Sequence, residues 1–176
     1  MKKIILSTVM AALFLPMFAQ SKFEPEIKVN VEVGIDDDKS FSTGGTFIAG
    51  YNLTSKFRLG MGVGFSYIYL LYADKYREAS AYVPVFIDAK YKFLDEGIAP
   101  YVGGSVGYSV FVPYSDYVKN EKLGFMSYPH FGVEFPLKSG ALILEAGYKY
   151  QARSSDVVVN SGLDYSQAVL AVGYRF

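Results

Sequence analysis

Apolar and polar side chains alternate along most of this chain, in eight runs of roughly ten residues separated by turn-forming sequence. The first, Glu26–Ile35, puts Ile27, Val29, Val31, Val33 and Ile35 on one face and Glu26, Lys28, Asn30 and Glu32 on the other. The second, Thr43–Leu53, gives an apolar face of Phe47, Ala49, Tyr51 and Leu53, and the third, Phe57–Tyr69, sets every odd-numbered residue against Arg58, Gly60, Gly62, Gly64 and Ser66. The fourth, Tyr82–Phe93, sets Val83, Val85, Ile87, Ala89, Tyr91 and Phe93 against Phe86, Asp88, Lys90 and Lys92. In the fifth, Tyr101–Val112, Val102, Val106, Tyr108 and Val110 oppose Gly103, Ser105, Gly107 and Ser109. The sixth, Phe125–Phe135, sets Phe131, Val133 and Phe135 against His130, Gly132 and Glu134; the seventh, Leu142–Ala152, sets Leu142, Leu144, Ala146, Tyr148 and Tyr150 against Glu145, Gly147, Lys149 and Gln151. The eighth, Ser166–Phe176, sets Ala168, Leu170, Val172, Tyr174 and Phe176 against Gln167, Val169, Ala171, Gly173 and Arg175. A period of two is that of a β-strand with different surroundings on its two faces.

The connections alternate in length. Asn52–Lys56, Leu94–Ala99 and Pro136–Ala141 are short and carry Asn, Asp-Glu-Gly or Pro with Ser-Gly, whereas Asp36–Ser42, Leu71–Ala81, Phe111–Gly124 and Arg153–Asp164 are longer and more polar. An even number of strands of this length, with short turns at one end and long loops at the other, predicts an all-β, eight-stranded antiparallel up-and-down transmembrane barrel. Pro84 and Pro129 cut against a continuous ladder, because each lacks an N–H. A strand start or a bulge near the outer rim is the expected accommodation.

The apolar face is expected to meet lipid, because its rings are ordered by height. Tyr51, Phe57, Tyr91, Phe93, Phe135, Tyr174 and Phe176 fall at the ends beside the short turns, and Tyr67, Tyr69, Tyr108, Tyr148 and Tyr150 at the opposite ends, with aliphatic residues between. Two aromatic girdles flanking an aliphatic band suit a bilayer surface, whereas a soluble barrel would turn the apolar face inward and need no such order. The inner face then holds Glu26, Glu32, Asp88, Glu134 and Glu145 with Lys28, Arg58, Lys90, Lys92, Lys149 and Arg175. An eight-stranded barrel is only wide enough for its own side chains, and buried charges persist when paired. A charge network of Glu32, Arg58, Asp88, Lys90, Glu134, Glu145, Lys149 and Arg175 is therefore expected to plug the lumen.

Lys2 and Lys3 precede an apolar run from Ile4 to Phe18, with Ala19 before Gln20, the pattern of a secretory signal peptide over residues 1–19. That leaves one mature domain over residues 20–176. The run is about 15 residues, short of the roughly 20 a spanning helix needs, although Met17 is larger than the residue usually found three before a cleavage site. With no cysteine in the chain, disulfides, thiolate chemistry and a lipoprotein anchor are not expected. The chain has 17 basic and 17 acidic side chains, and losing Lys2 and Lys3 leaves a slight acidic excess, so no nucleic-acid partner is expected. The 16 Tyr, 14 Phe and 17 Gly suit short strands with interfacial rings.

The signal-like N-terminus, the eight strands, the girdles and the terminal Gly173-Tyr174-Arg175-Phe176 together resemble the small OmpA/OmpX-type, porin-family-like outer-membrane barrels. Pro84-Val85-Phe86-Ile87-Asp88-Ala89-Lys90-Tyr91 and Pro100-Tyr101-Val102-Gly103-Gly104-Ser105-Val106-Gly107-Tyr108 look most like the outer-membrane barrel domains common in Bacteroidetes. The resemblance implies a monomer in the outer membrane of a Gram-negative cell, with lipid and lipopolysaccharide around it. It also implies that Tyr174 and Phe176 resemble the signal read by the barrel-assembly machinery. Such families share a scaffold and differ in their loops.

The same size class includes lipid A deacylases, which use a His-x-Ser pair and a carboxylate on the lipid-facing wall. Here His130 is followed by Phe131 and Gly132, and its parity sends it inward, where a bond to Glu134 or a nearby tyrosine is expected. Lipid A palmitoyltransferases use His, Asp and Ser near the outer rim, where Asp116, Ser115 and His130 fall without a defining spacing. Asp36-Asp37-Asp38 has oxygen ligands for a divalent cation but lacks the Gly and distal Glu of a calcium loop, so a solvated loop is expected and no cofactor or metal. The loop Phe111–Gly124 mixes Phe111, Tyr114 and Tyr117 with Asp116, Lys119, Glu121 and Lys122. It reads equally as a binding surface for an unknown extracellular ligand and as rings dipping into headgroups. The sequence thus predicts a non-enzymatic structural or surface-interaction protein, with lipid A acyl chemistry and a narrow pore as alternatives.

Overall fold

The computed structural model describes residues 22–35, 40–72, 76–112, 121–155 and 165–176. They form β1 (Phe23–Gly34), β2 (Ser40–Asn52), β3 (Phe57–Tyr72), β4 (Tyr76–Lys92), β5 (Ala99–Val112), β6 (Glu121–Leu137), β7 (Gly140–Ser155) and β8 (Tyr165–Arg175). Each strand pairs antiparallel with the next, and β8 pairs with β1 to close the barrel. The signal-like run and Asp36-Asp37-Asp38 lie outside the described residues.

Burial is inside out. Leu170 is 69% exposed, Met61 65% and Val29 64%, while Glu26 is 0% and Arg58 2% exposed. Apolar side chains in such numbers gain nothing from facing water, so this surface requires hydrocarbon around it. The rings expected at its two rims are there: Tyr91 meets Phe93 edge-on at 5.7 Å and Tyr174 meets Phe176 at 4.9 Å at one end, and Tyr67 meets Tyr69 at 4.8 Å at the other. Phe41 joins the second rim, 6.4 Å from Tyr69, although the sequence pattern placed it in a loop.

The short turns carry the backbone conformations their residues suggest. Gly97 (φ +73°) and Gly140 (φ +149°) are the described glycines with positive φ, and each sits at a short connection, where a side chain would be strained. Thr54 Oγ1 accepts from the N–H of Phe57 at 2.9 Å and closes the β2–β3 turn.

Three expectations need correction. The connection expected over Leu71–Ala81 is mostly strand: β3 and β4 pair out to Tyr72 and Tyr76, leaving only residues 73–75 between them. The sequence there has no period of two, so alternation gave no sign of the strands. Pro84 is not at a strand start but inside β4, paired with Ser109 of β5. Pairing with β3 runs to Val63–Val85, resumes at Ser66–Tyr82 with unchanged register, and is missing opposite Gly64, so the absent N–H costs a gap in one ladder. Pro129 behaves likewise, pairing with Gly104 on one side and interrupting the β7 ladder between Ser127 and His130 on the other. A register shift does occur in β6, between Leu123 and Met126, above the proline.

Candidate functional site: the lumen

The inner faces of the strands project long polar side chains into a space too narrow to hydrate them, so each must find a partner across the barrel. At the short-turn rim Arg175 binds Glu24 of β1 at 2.6 Å and Glu134 of β6 at 3.2 Å, with Lys92 4.0 Å from Glu134. One step deeper, Glu26 is fully buried and holds three cations: Lys28 at 3.3 Å, Lys90 at 2.9 Å and Arg58, whose Nη1 donates to the same carboxylate oxygen as Lys90. Lys90 also lies 3.5 Å from Glu134 and 4.3 Å from the centre of the Tyr101 ring. Arg58 Nη2 donates to the carbonyl of Glu24 at 2.6 Å.

Glu145 forms the next node. It accepts from Lys28 Nζ at 2.8 and 3.0 Å, from the Tyr101 hydroxyl at 2.7 Å and from the Tyr128 hydroxyl at 3.0 Å. Further from the short turns, Glu32 accepts from Lys149 at 2.8 Å, from Asn30 at 2.6 Å and from the Tyr82 hydroxyl at 2.7 Å, with Lys149 4.7 Å from the centre of the Tyr82 ring. Beyond that level the described partners are neutral: Ser109 donates to Gln151 at 2.6 Å and Gln167 to Ser42 at 3.0 Å. Ile48, Phe86 and Met126 pack as a small apolar cluster inside. Gly62 is needed beside them, because the Phe86 ring occupies the place its Cβ would take. The cavity lined by Lys28, Glu32, Phe86, Met126 and Glu145 measures about 40 Å³, room for a few waters.

Of the residues expected in the network, Arg58 and Lys90 meet at Glu26, Lys90 and Arg175 share Glu134, and Glu32 pairs with Lys149. Asp88 contacts neither lysine nor arginine within ion-pair distance among the described pairs; it accepts from Ser105 at 2.8 Å and lies 3.6 Å from His130 Nε2. The central roles of Glu26 and Lys28, and those of Tyr82 and Tyr101, were not assigned from sequence. Parity places all four side chains inward, but which of them meet depends on strand stagger, which no single strand encodes. His130 points inward as expected, and of the two partners expected for it, it takes a nearby tyrosine: its Nδ1–H donates to the backbone carbonyl of Tyr128 at 3.1 Å. Glu134 lies four residues along the same strand, about 13 Å away, and is engaged by Arg175 and Lys90. Asp116 and Ser115 lie outside the described residues.

A barrel with lipid on its outside and ion pairs through its middle suits an outer-membrane protein, and a family model bears directly on this. The model for the outer membrane protein beta-barrel domain matches residues 5–176. The chain belongs to that family. Membership places it among bacterial outer-membrane barrels. Among solved structures it resembles the outer membrane protein OprG from Pseudomonas aeruginosa, at 12% identity and a TM-score of 0.55, covering 89% of this chain and 97% of that one. It also resembles Neisserial surface protein A, at 14% identity and a TM-score of 0.51, covering 87% of this chain and 94% of that one. At such identities the likeness is one of fold. No curated protein matches the sequence significantly.

Proposed function

We propose that this barrel is a monomeric, non-enzymatic outer-membrane protein that serves a structural or surface-interaction role through its outer loops, with a lumen that does not conduct. The observation that supports this most is the chain of contacts Arg175–Glu134–Lys90–Glu26–Lys28–Glu145, which joins β8, β6, β4, β1 and β7 across the lumen. An ion passing through the described lumen meets paired charges at the short-turn rim and again at Glu26 and Glu145. Phe176 and Tyr174 serve the assembly machinery in this reading, and the segment through Ala19 is removed on export. The test is a whole-cell binding screen of variants with each outer loop deleted, run beside mass spectrometry of lipid A from cells with and without the protein. Loss of ligand or surface binding on deletion of a loop, with unchanged lipid A acylation, is the expected result. An altered acylation pattern would overturn it.

A further inference from the structure

Seven of the eight strand pairings join neighbours in sequence, whose register a connecting turn helps to set. The pairing of β1 with β8 has no such turn. Its outer face offers no discrimination either: Ile27 lies opposite Tyr174, Val29 opposite Val172, Val31 opposite Leu170 and Val33 opposite Ala168. Sliding β1 by two residues so that Ile27 meets Phe176 keeps every one of these contacts apolar, the opposite slide changes only one of them by setting Val33 against Ser166 at the rim, and the backbone ladder also repeats every two residues. Hydrophobic burial and hydrogen bonding thus leave the closing register open.

We infer that the lumen charges on β1 and β7 specify the register in which this barrel closes. The inward positions of β1 read Glu26, Lys28, Asn30, Glu32, and those of β7 read Ile143, Glu145, Gly147, Lys149. Lys28 pairs with Glu145 and Glu32 with Lys149, both at 2.8 Å and both 117 residues apart in sequence. A shift of two residues moves each charge about 7 Å along its neighbour. In one direction Asn30 comes to Glu145 and Gly34 to Lys149, so both pairs are lost. In the other, Glu26 comes to Glu145 and Asn30 to Lys149, so one pair becomes a repulsion and the other is lost. Shifts of four residues set Glu32 against Glu145, or Lys28 against Lys149 with Glu24 against Glu145. Each neighbouring register therefore buries uncompensated charge, which costs more than the neutral contacts can recover. Gln167 to Ser42 and Arg175 to Glu24 cross the same seam and agree with the native setting. This inference does not depend on what the outer loops bind.

Because the chain has no cysteine, engineered pairs report register without background. Val31→Cys with Leu170→Cys samples the native register, and Val31→Cys with Val172→Cys or Ala168→Cys samples the shifted ones, since a disulfide needs Cα atoms within about 7 Å. In the natural lumen, oxidation of the protein inserted in bilayers should give only the native cross-link. With both pairs neutralised (Lys28→Met, Glu145→Gln, Glu32→Gln, Lys149→Met), the shifted products should rise about tenfold or more in the folded, heat-modifiable fraction. A folded neutral variant that cross-links only at Val31 and Leu170 would overturn the inference. Should the neutral variant fail to fold, Glu32→Lys alone should lose the native cross-link and Glu32→Lys with Lys149→Glu should regain it. A reversed pair that gives no more native product than the single variant would be equally decisive against it.

Discussion

Replacing Glu26 by Gln keeps the shape of the side chain and removes the one charge that three lumen cations share. The loss falls unevenly. Lys28 keeps Glu145 at 2.8 Å and Lys90 keeps Glu134 at 3.5 Å, but Glu26 is the carboxylate that Arg58 binds among the described residues. Removing one member of a buried pair costs about 3–5 kcal/mol, and the partners retained by the two lysines put this case near 3. That is roughly a 150-fold change in the folding equilibrium. With a urea slope of about 2 kcal/mol per M, the unfolding midpoint in lipid vesicles should fall by about 1.5 M. The control is Lys56→Ala, which removes an exposed pair with Asp95 at 3.7 Å and should change stability by less than about 0.5 kcal/mol. Folded fraction is read from heat-modifiable mobility on a gel. If Glu26→Gln shifts the midpoint no more than Lys56→Ala, the lumen is hydrated and the reasoning about a dry, paired interior is wrong.

Other substitutions test other surfaces. Val29→Arg, on the aliphatic band opposite Val172 and Gly45, should cost about 2–4 kcal/mol in bilayers; a neutral effect in the same unfolding assay would argue against lipid at that height. Gly62→Ala forces a methyl into the Phe86 ring and should cost about 1–3 kcal/mol, with a native-like midpoint counting against that packing. Tyr174→Phe removes a hydroxyl that donates to the Ser139 carbonyl at 2.8 Å and should cost about 1 kcal/mol. Deleting Phe176 should slow membrane insertion in a pulse-chase experiment far more than Tyr174→Phe does, and equal insertion rates would remove it from any assembly role.

The fold was legible because a bilayer imposes its pattern on every strand. Ile27, Val29, Val31 and Val33 must be apolar to meet lipid, and Glu26, Lys28 and Glu32 must face away from it, so parity alone assigns both faces. Legibility ended where alternation ended: the β3–β4 hairpin continues to Tyr72 and Tyr76 in sequence without a period of two. Pro84 misled for a related reason. A proline lacks one N–H only, and in β4 the missing donor faces β3 while pairing with β5 continues, so the strand survives. Inside the lumen, parity put the charges in one space but did not say which would meet. Lys28 reaches Glu145 and Glu32 reaches Lys149 because the closing register brings β1 and β7 to matching heights. That information is held jointly by two strands far apart in the chain.

If paired charges close the lumen, as proposed above, function falls to the outer loops. Single-channel recording of the folded protein in planar bilayers tests that closure most directly. No steady conductance steps are expected with the natural lumen, and leak currents should appear once Glu26→Gln loosens the network around Arg58 and Lys90. Large, stable conductance in the unaltered protein would contradict it.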